Sequence, residues 1–315
     1  MKYILNEKKY IENLIENKAN EQIEKPGALL PLLAQYYYEF KGYRKKKITD
    51  LLIDFLNTRY PSFEHNKKSW IETCAKISKT TGGKPLLQVD ELPITQKEIE
   101  TITQNVNDKS LERLLFVMLC IAKYNNLKNP KNQGWVNTDL KDLFTLAKVK
   151  SNPQNRGKII HTLINTGLIE TAKRIDKVNL KVCFIDTDDN KNTVLFTMIK
   201  DFRELGFQYN RLMNYGDYFT CEKCGITVKA NKQNNNKKCL CKKCLNEPKT
   251  RLVICVDCGA PFTVDARVSA KCRCDECQKI KIREDAAKRK QRQREREKLC
   301  VSELVTGVKN QRKRL

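Results

Sequence analysis

Ten cysteines between residues 221 and 277 form two copies of one pattern, and this duplication constrains the fold more than any other feature of the chain. The first copy reads CxxCG and then CxCxxC, with cysteines at Cys221, Cys224, Cys239, Cys241 and Cys244. The second copy has them at Cys255, Cys258, Cys272, Cys274 and Cys277. Corresponding cysteines are 34 residues apart in the CxxCG pairs and 33 residues apart in the others. The two segments are therefore an internal repeat.

Each copy supplies two CxxC turns, which can hold four thiolates tetrahedrally around Zn²⁺. Iron–sulfur ligation and redox-active CxxC pairs are the alternatives, but CxxCG knuckles outside a thioredoxin-like βαβ context favour zinc. We therefore predict two structural zinc ions, each closed by four thiolates with no position left for water. The predicted ligands are Cys221, Cys224, Cys241 and Cys244 at the first site, and Cys255, Cys258, Cys274 and Cys277 at the second. Cys239 and Cys272 remain alternatives to Cys241 and Cys274, because each precedes a CxxC by two residues.

The large number of thiols also bears on the compartment. The chain opens with interleaved Lys and Glu and lacks an apolar segment long enough to span a membrane, which indicates an intracellular protein. In a reducing compartment its fourteen cysteines are expected to bind metal and not to form disulfides. We expect a cytoplasmic protein, associated with the nucleoid, or in the host cytoplasm if a phage encodes it. The three cysteines before residue 200, Cys74, Cys120 and Cys183, fall in apolar patterns and are predicted to be small hydrophobic residues.

The middle of the chain has a periodicity typical of two short helices and a hairpin. Thr138 is predicted to cap a first helix with apolar residues at Leu140, Leu143, Phe144 and Ala147. The stretch Ser151-Asn-Pro-Gln154 predicts a capping box for a second helix that ends at Thr166-Gly167. Residues 168–175 and 178–184 then read as two strands around a turn.

This order resembles that of the winged-helix DNA-binding family over about residues 108–186, with Leu111–Lys123 as the preceding core helix. The resemblance implies that the second helix enters the major groove and that the hairpin touches phosphates or the minor groove. Helical phasing turns amide and cationic side chains outward on that helix. The predicted DNA contacts are Ser151, Gln154, Asn155, Lys158, Thr162, Lys173, Arg174 and Lys177. A protein-binding winged helix is the alternative.

A formal net charge of +24 supports a polyanionic partner, and much of it lies near the C-terminus. Residues 279–298 hold ten Lys or Arg side chains and almost no apolar ones, which indicates either a solvated helix or a disordered tail. Near the N-terminus, Tyr36-Tyr37-Tyr38 precedes a cationic stretch, and these aromatics are expected to close a helical bundle rather than to stack on bases.

The predicted fold class is multidomain, mainly α with small β. It comprises a helical domain (1–107), a winged helix-turn-helix domain (108–215), two tandem four-cysteine zinc ribbons (216–248 and 249–278) and a basic C-terminal helix or tail (279–315). The whole resembles phage and prophage proteins that join such a helical or winged-helix region to CxxCG ribbons, most clearly at residues 255–278.

We found no phosphate-binding loop, nucleophile elbow or acidic metal cluster, so no catalytic residue is predicted. The expected function is non-enzymatic binding of double-stranded DNA in transcription control or replication. The alternatives are an adaptor that binds RNA polymerase or a replication protein through its ribbons, and an RNA-binding protein. RNA binding is favoured if the aromatic side chains of Tyr218, Phe219 and Phe262 are exposed for stacking.

Overall fold

The computed structural model describes residues 3–16, 23, 25–172, 179–186, 194–230, 239–246, 250–266, 268 and 271–312, with side chains of the last helix described as far as residue 295. These residues are mainly helical, with small antiparallel sheets, as the sequence predicts. The chain forms two compact units, Met1–Cys241 and Lys242–Leu315. None of the described helices has an apolar stretch long enough to cross a membrane.

The first unit begins with four helices around their own apolar cluster. They are α1 (Glu7–Glu16), α2 (Leu30–Glu39), α3 (Lys45–Arg59) and α4 (Lys67–Thr80). In α3 the apolar residues Ile48, Leu52 and Leu56 recur every four positions, so all three are fully buried on one face. Tyr36 of α2 is also buried in this cluster, whereas Tyr38 is exposed. The aromatic stretch therefore helps to close the bundle.

A second apolar cluster surrounds α6 (Lys109–Lys128), which the short strand β1 (Leu92–Thr95) and helix α5 (Gln96–Asn105) precede. Thr95 and Glu98 form the reciprocal hydrogen bonds of a capping box at the start of α5. Glu98 is fully buried, and Lys123 of α6 donates to both of its carboxylate oxygens at 2.8 and 2.9 Å. This buried ion pair joins α5 to α6.

After α6 come β2 (Trp135–Val136), α7 (Leu140–Leu146), α8 (Pro153–Asn165), β3 (Ile169–Thr171) and β4 (Leu180–Val182). The strands form one antiparallel sheet in the order β2-β4-β3, with Ile169 opposite Val182 and Val136 opposite Leu180. Leu143 of α7 and Leu163 of α8 are fully buried in the α6 cluster. The two helices and the sheet therefore share one core with α6.

Two helix starts differ from the sequence prediction. Asn152, not Ser151, caps α8, because its side-chain oxygen accepts from the Asn155 N–H at 2.8 Å. Asp139 occupies the cap position of α7 without a side-chain bond. Thr138 lies one residue too early to cap this helix, and its buried hydroxyl is 2.6 Å from the Tyr3 hydroxyl. A tertiary hydrogen bond thus replaces the predicted cap.

The rest of the first unit contains β5 (Leu195–Ile199), which pairs with β1, then α9 (Leu205–Leu212) and the hairpin β6 (Tyr218–Thr220) and β7 (Thr227–Lys229). The second unit contains α10 (Lys242–Asn246), the hairpin β8 (Thr250–Ile254) and β9 (Pro261–Asp265), and α11 (Asp275–Arg312). The basic segment predicted at residues 279–298 is therefore helical, and its described side chains are mostly exposed.

Candidate metal centres and a polar helix face

Two groups of four cysteine sulfurs come together, and each group can hold one metal ion. The first joins Cys221, Cys224, Cys241 and Cys244; the second joins Cys255, Cys258, Cys274 and Cys277. Within each group all sulfurs lie within 4.8 Å of one another. Cys224 Sγ is 3.6 Å from Cys241 Sγ, and Cys258 Sγ is 3.8 Å from Cys274 Sγ. Tetrahedral zinc with bonds of about 2.3 Å would separate its sulfurs by about 3.8 Å, so both donor sets fit this ion.

The glycine of each CxxCG motif allows the chain to turn around the sulfurs. Gly225 and Gly259 have φ angles of 72° and 71°, in the left-handed region that glycine adopts without strain. Their N–H groups donate to the carbonyl oxygens of Cys221 and Cys255 at 2.8 and 2.9 Å. The same local sequence therefore builds the same knuckle twice.

Main-chain N–H groups also stabilise negative charge on the first sulfur of each group. The Cys241 N–H donates to Cys221 Sγ at 3.2 Å, and the Cys274 N–H donates to Cys255 Sγ at 3.4 Å. Burial raises the pKa of Cys221, but such N–H donors, led by that of Cys241, outweigh it and lower the pKa to about 6. Similar donors, led by the Cys274 N–H, lower the pKa of Cys255 to about 6. Both thiols are thus prepared to bind metal as thiolates.

The spare cysteine of each copy lies beside the sulfur group and outside it. Cys239 and Cys272 are exposed, and each contributes its main-chain carbonyl, which accepts from the Glu222 N–H at 2.9 Å and from the Val256 N–H at 3.1 Å. The CxxC cysteines supply the clustered sulfurs instead. Of the three earlier cysteines, Cys74 and Cys120 are fully buried as predicted.

The prediction for Cys183 is wrong, because this side chain is exposed. It follows Val182, the last residue of β4, where alternation along the strand turns it away from the core.

The first hairpin is covered by α9. The ring of Phe207 lies 5.4 Å from that of Tyr218, centroid to centroid. Asn210 Nδ2 donates to the Tyr218 hydroxyl at 2.8 Å, and Arg211 Nη1 donates to Thr220 Oγ1 at 2.7 Å. These contacts leave Tyr218 and Thr220 partly buried.

Arg203, just before α9, donates from Nη2 to the carbonyl oxygen of Cys224 at 2.7 Å. Sequence reasoning missed this residue, and no local signal marks it, since it lies 21 positions before Cys224. The first sulfur group is thus held from outside its own hairpin.

The second hairpin, unlike the first, exposes its apolar side chains to solvent. Leu252 and Ile254, which lie 34 positions after Tyr218 and Thr220, are 71% and 67% exposed. Val256, on the knuckle, is 62% exposed, and Cys258 is exposed as well. Phe262 is partly buried, as is Phe219 in the first hairpin. Neither hairpin therefore presents a fully exposed aromatic ring of the kind that would favour the RNA-binding alternative.

Helix α8 presents a wide polar face to solvent. Ile160 and Leu163 are buried, whereas the predicted contact residues Gln154, Asn155, Lys158 and Thr162 are exposed, together with His161. Ser151 precedes the helix and is partly buried. The remaining predicted contacts, Lys173, Arg174 and Lys177, lie outside the described residues.

Arg156 of α8 turns toward the buried side of the helix. Its Nη2 donates to the Ser151 carbonyl oxygen at 3.1 Å, and its guanidinium lies 5.8 Å from the centre of the Phe144 ring. It therefore braces the start of α8 and the α7–α8 packing.

Comparison of the chain with protein-family models, with curated proteins and with solved structures finds no match.

Proposed function

We propose that this chain is a non-enzymatic, zinc-stabilised protein that binds double-stranded DNA through the α7–α8 pair and the β3–β4 hairpin. The carrying observation is the exposed face of α8, which offers the Gln154 and Asn155 amides and the Lys158 ammonium. Amides and cations of this kind pair with base edges in the major groove. The order α6-β2-α7-α8-β3-β4 and the sheet order β2-β4-β3 support a winged-helix arrangement in which α8 is the recognition helix.

The two four-cysteine groups have a structural role in this proposal. Four thiolates close the coordination of zinc and leave no position for a reacting water. Each hairpin buries little apolar surface, so the metal supplies the stability that a core supplies elsewhere. The ribbons and the basic helix α11 add phosphate contacts, and the predicted setting is transcription or replication of a phage or other mobile element.

A selection experiment tests the proposal. A pool of randomised duplexes is passed over the full-length, zinc-loaded protein, and binding of the recovered duplex is titrated with salt beside single-stranded DNA and duplex RNA of the same length. We expect preference for the DNA duplex and a steep loss of affinity with salt, because bound phosphates release counterions.

Replacing Gln154, Asn155 and Lys158 together by alanine should lower the affinity for the selected duplex more than the affinity for an unselected one, since base contacts carry the sequence preference. Replacing Lys8, Lys67 and Lys68, exposed or partly exposed cations of the four-helix bundle, is the control and should leave that preference unchanged. Equal binding of all nucleic acids, or an unaltered preference in the α8 variant, would overturn the proposal.

The second hairpin supports one alternative. Leu252, Ile254 and Val256 form an exposed apolar surface that a DNA backbone would not require. An adaptor that contacts RNA polymerase or a replication protein through this ribbon would use it. Substitution of Leu252 and Ile254 by Asn tests this alternative: if the ribbon is an adaptor, the variant should lose binding of purified RNA polymerase or replication protein while its DNA affinity is unchanged.

A further inference from the structure

Helix α8 contains a glycine that nothing within the described part of the protein requires. Gly157 is the fifth residue of the helix, is exposed, and has no left-handed φ angle. A Cβ atom built on it would meet no heavy atom of the described residues within 4 Å. Glycine inside a helix is nevertheless less stable than alanine, because its backbone loses more freedom on folding. The position therefore accepts a stability cost without a packing reason.

Gly206 in α9 shows what a packing reason looks like. A Cβ atom there would lie 2.3 Å from the carbonyl oxygen of Ala147, so the close approach of two main-chain segments demands a glycine. At Gly157 the main chain is also uncovered by a side chain, but it faces solvent and not another main-chain segment. No described residue approaches this point closely, which leaves the surface open to a partner.

The neighbours of Gly157 indicate what approaches. Gln154, Gly157, Lys158 and His161 follow the spacing i, i+3, i+4 and i+7, so they share one exposed stripe of the helix. Polar side chains therefore border a notch whose floor is main chain. This notch lies in the middle of the face that carries the proposed base contacts.

We propose that the α8 main chain at Gly157 lies in van der Waals contact with DNA in the major groove, and that the missing side chain sets how deeply the helix enters. This inference rests on the proposed function. At that depth the Gln154 amide and the Lys158 ammonium reach base edges, whereas a Cβ at position 157 would hold the helix away from them. Gly157 is thus a positioning residue for sequence recognition.

The test is the substitution Gly157→Ala in the full-length, zinc-loaded protein. Alanine should raise the melting temperature by about 3 °C, because it favours the helix. It should also weaken binding of the selected duplex by about tenfold, which corresponds to loss of a base contact. Gly157→Leu, with a larger side chain of good helix propensity, should weaken it further. A gain in stability combined with a size-dependent loss of affinity is a result that a purely structural glycine cannot give.

Gly27→Ala is the matched control. Gly27 lies in the short 3₁₀ helix Pro26–Ala28, is exposed, and also has no heavy atom within 4 Å of a built Cβ. It should change stability slightly and leave DNA affinity unaltered. If Gly157→Ala and Gly157→Leu bind the selected duplex as tightly as the parent, the inference is wrong while the proposed function stands. If the parent itself shows no preference for duplex DNA, both fall.

Discussion

The two cysteine hairpins have nearly the same local geometry and very different surroundings. The Cys221 N–H donates to Ile226 O at 2.9 Å, and the Cys255 N–H donates to Ala260 O at 3.0 Å, so the knuckles correspond bond for bond. The first hairpin is nevertheless covered by α9 and held by Arg203, whereas the second exposes Leu252. Short-range sequence determines the shape of a metal knuckle, and a distant helix determines how well it is protected.

The largest expected effect is the loss of zinc and of stability when one ligand cysteine of either site is replaced. Cys221→Ser and Cys255→Ser should each reduce bound zinc from two ions to one, since three thiolates hold the metal poorly. Cys221→Ser should also lower the melting temperature of residues 1–241, because the first hairpin packs on α9. Cys255→Ser should leave that transition in place. Zinc analysis and hydrogen exchange measure both effects, and identical destabilisation by the two variants would contradict the comparison.

Removal of metal by a chelator should be sequential. The second site should release its ion about tenfold faster than the first, because Cys258 is exposed and, among the described residues, an outside contact (Arg203 to Cys224) is seen at the first site. Limited proteolysis during chelation should cut near residues 250–277 before it cuts near residue 221. The Cys255→Ser variant, which lacks the second site, identifies the slow phase. A single phase for both ions would show that α9 gives no protection.

Replacing an arginine beside each hairpin should give a smaller difference, in the free energy of unfolding. Arg203→Ala removes the hydrogen bond to the Cys224 carbonyl and should destabilise the first hairpin by about 1 kcal/mol, because the charged donor is partly exposed. Arg273→Ala removes the pair with Asp257, 2.6 Å apart on the surface of the second hairpin, and should destabilise less than Arg203→Ala, because solvent screens the pair. Denaturant titration measures both values, and a larger loss for Arg273→Ala would reverse the comparison.

The acid sensitivity of the two sites should be the same. Main-chain donors lower the pKa of both Cys221 and Cys255 to about 6, so the folded protein favours both thiolates above that pH. In the metal-free protein a lowered pKa contributes stability at higher pH that is lost as the pH falls through about 6. Bound metal competes with protons for the thiolates, so the loaded sites should lose their ions at a lower pH than this. The thiolate-to-metal absorption of the cobalt-substituted protein, followed in each single-site Cys→Ser variant, should give matching midpoints. Different pH midpoints for the two sites would mean that the residues around each knuckle, and not its main-chain donors, control protonation of the thiolates.

Local sequence predicted much of this structure where one segment supplies both partners of an interaction. The cysteine spacing placed the eight sulfurs in two groups, since each CxxCG turn brings its own two thiols together. The apolar periodicity of α8 indicated its exposed side. The Thr138 and Ser151 caps were wrong because Tyr3 competes for the first hydroxyl and Asn152 offers a better-placed oxygen.

Sequence by itself therefore determined the duplicated knuckles and the polar stripe of α8. Only the tertiary structure decided that Arg203 reaches Cys224, that α9 covers Tyr218, and that Leu252 at the corresponding position remains exposed. The physical reason is range. Hydrogen bonds within a turn are fixed by neighbouring residues, whereas burial depends on which distant surface the folded chain brings against them.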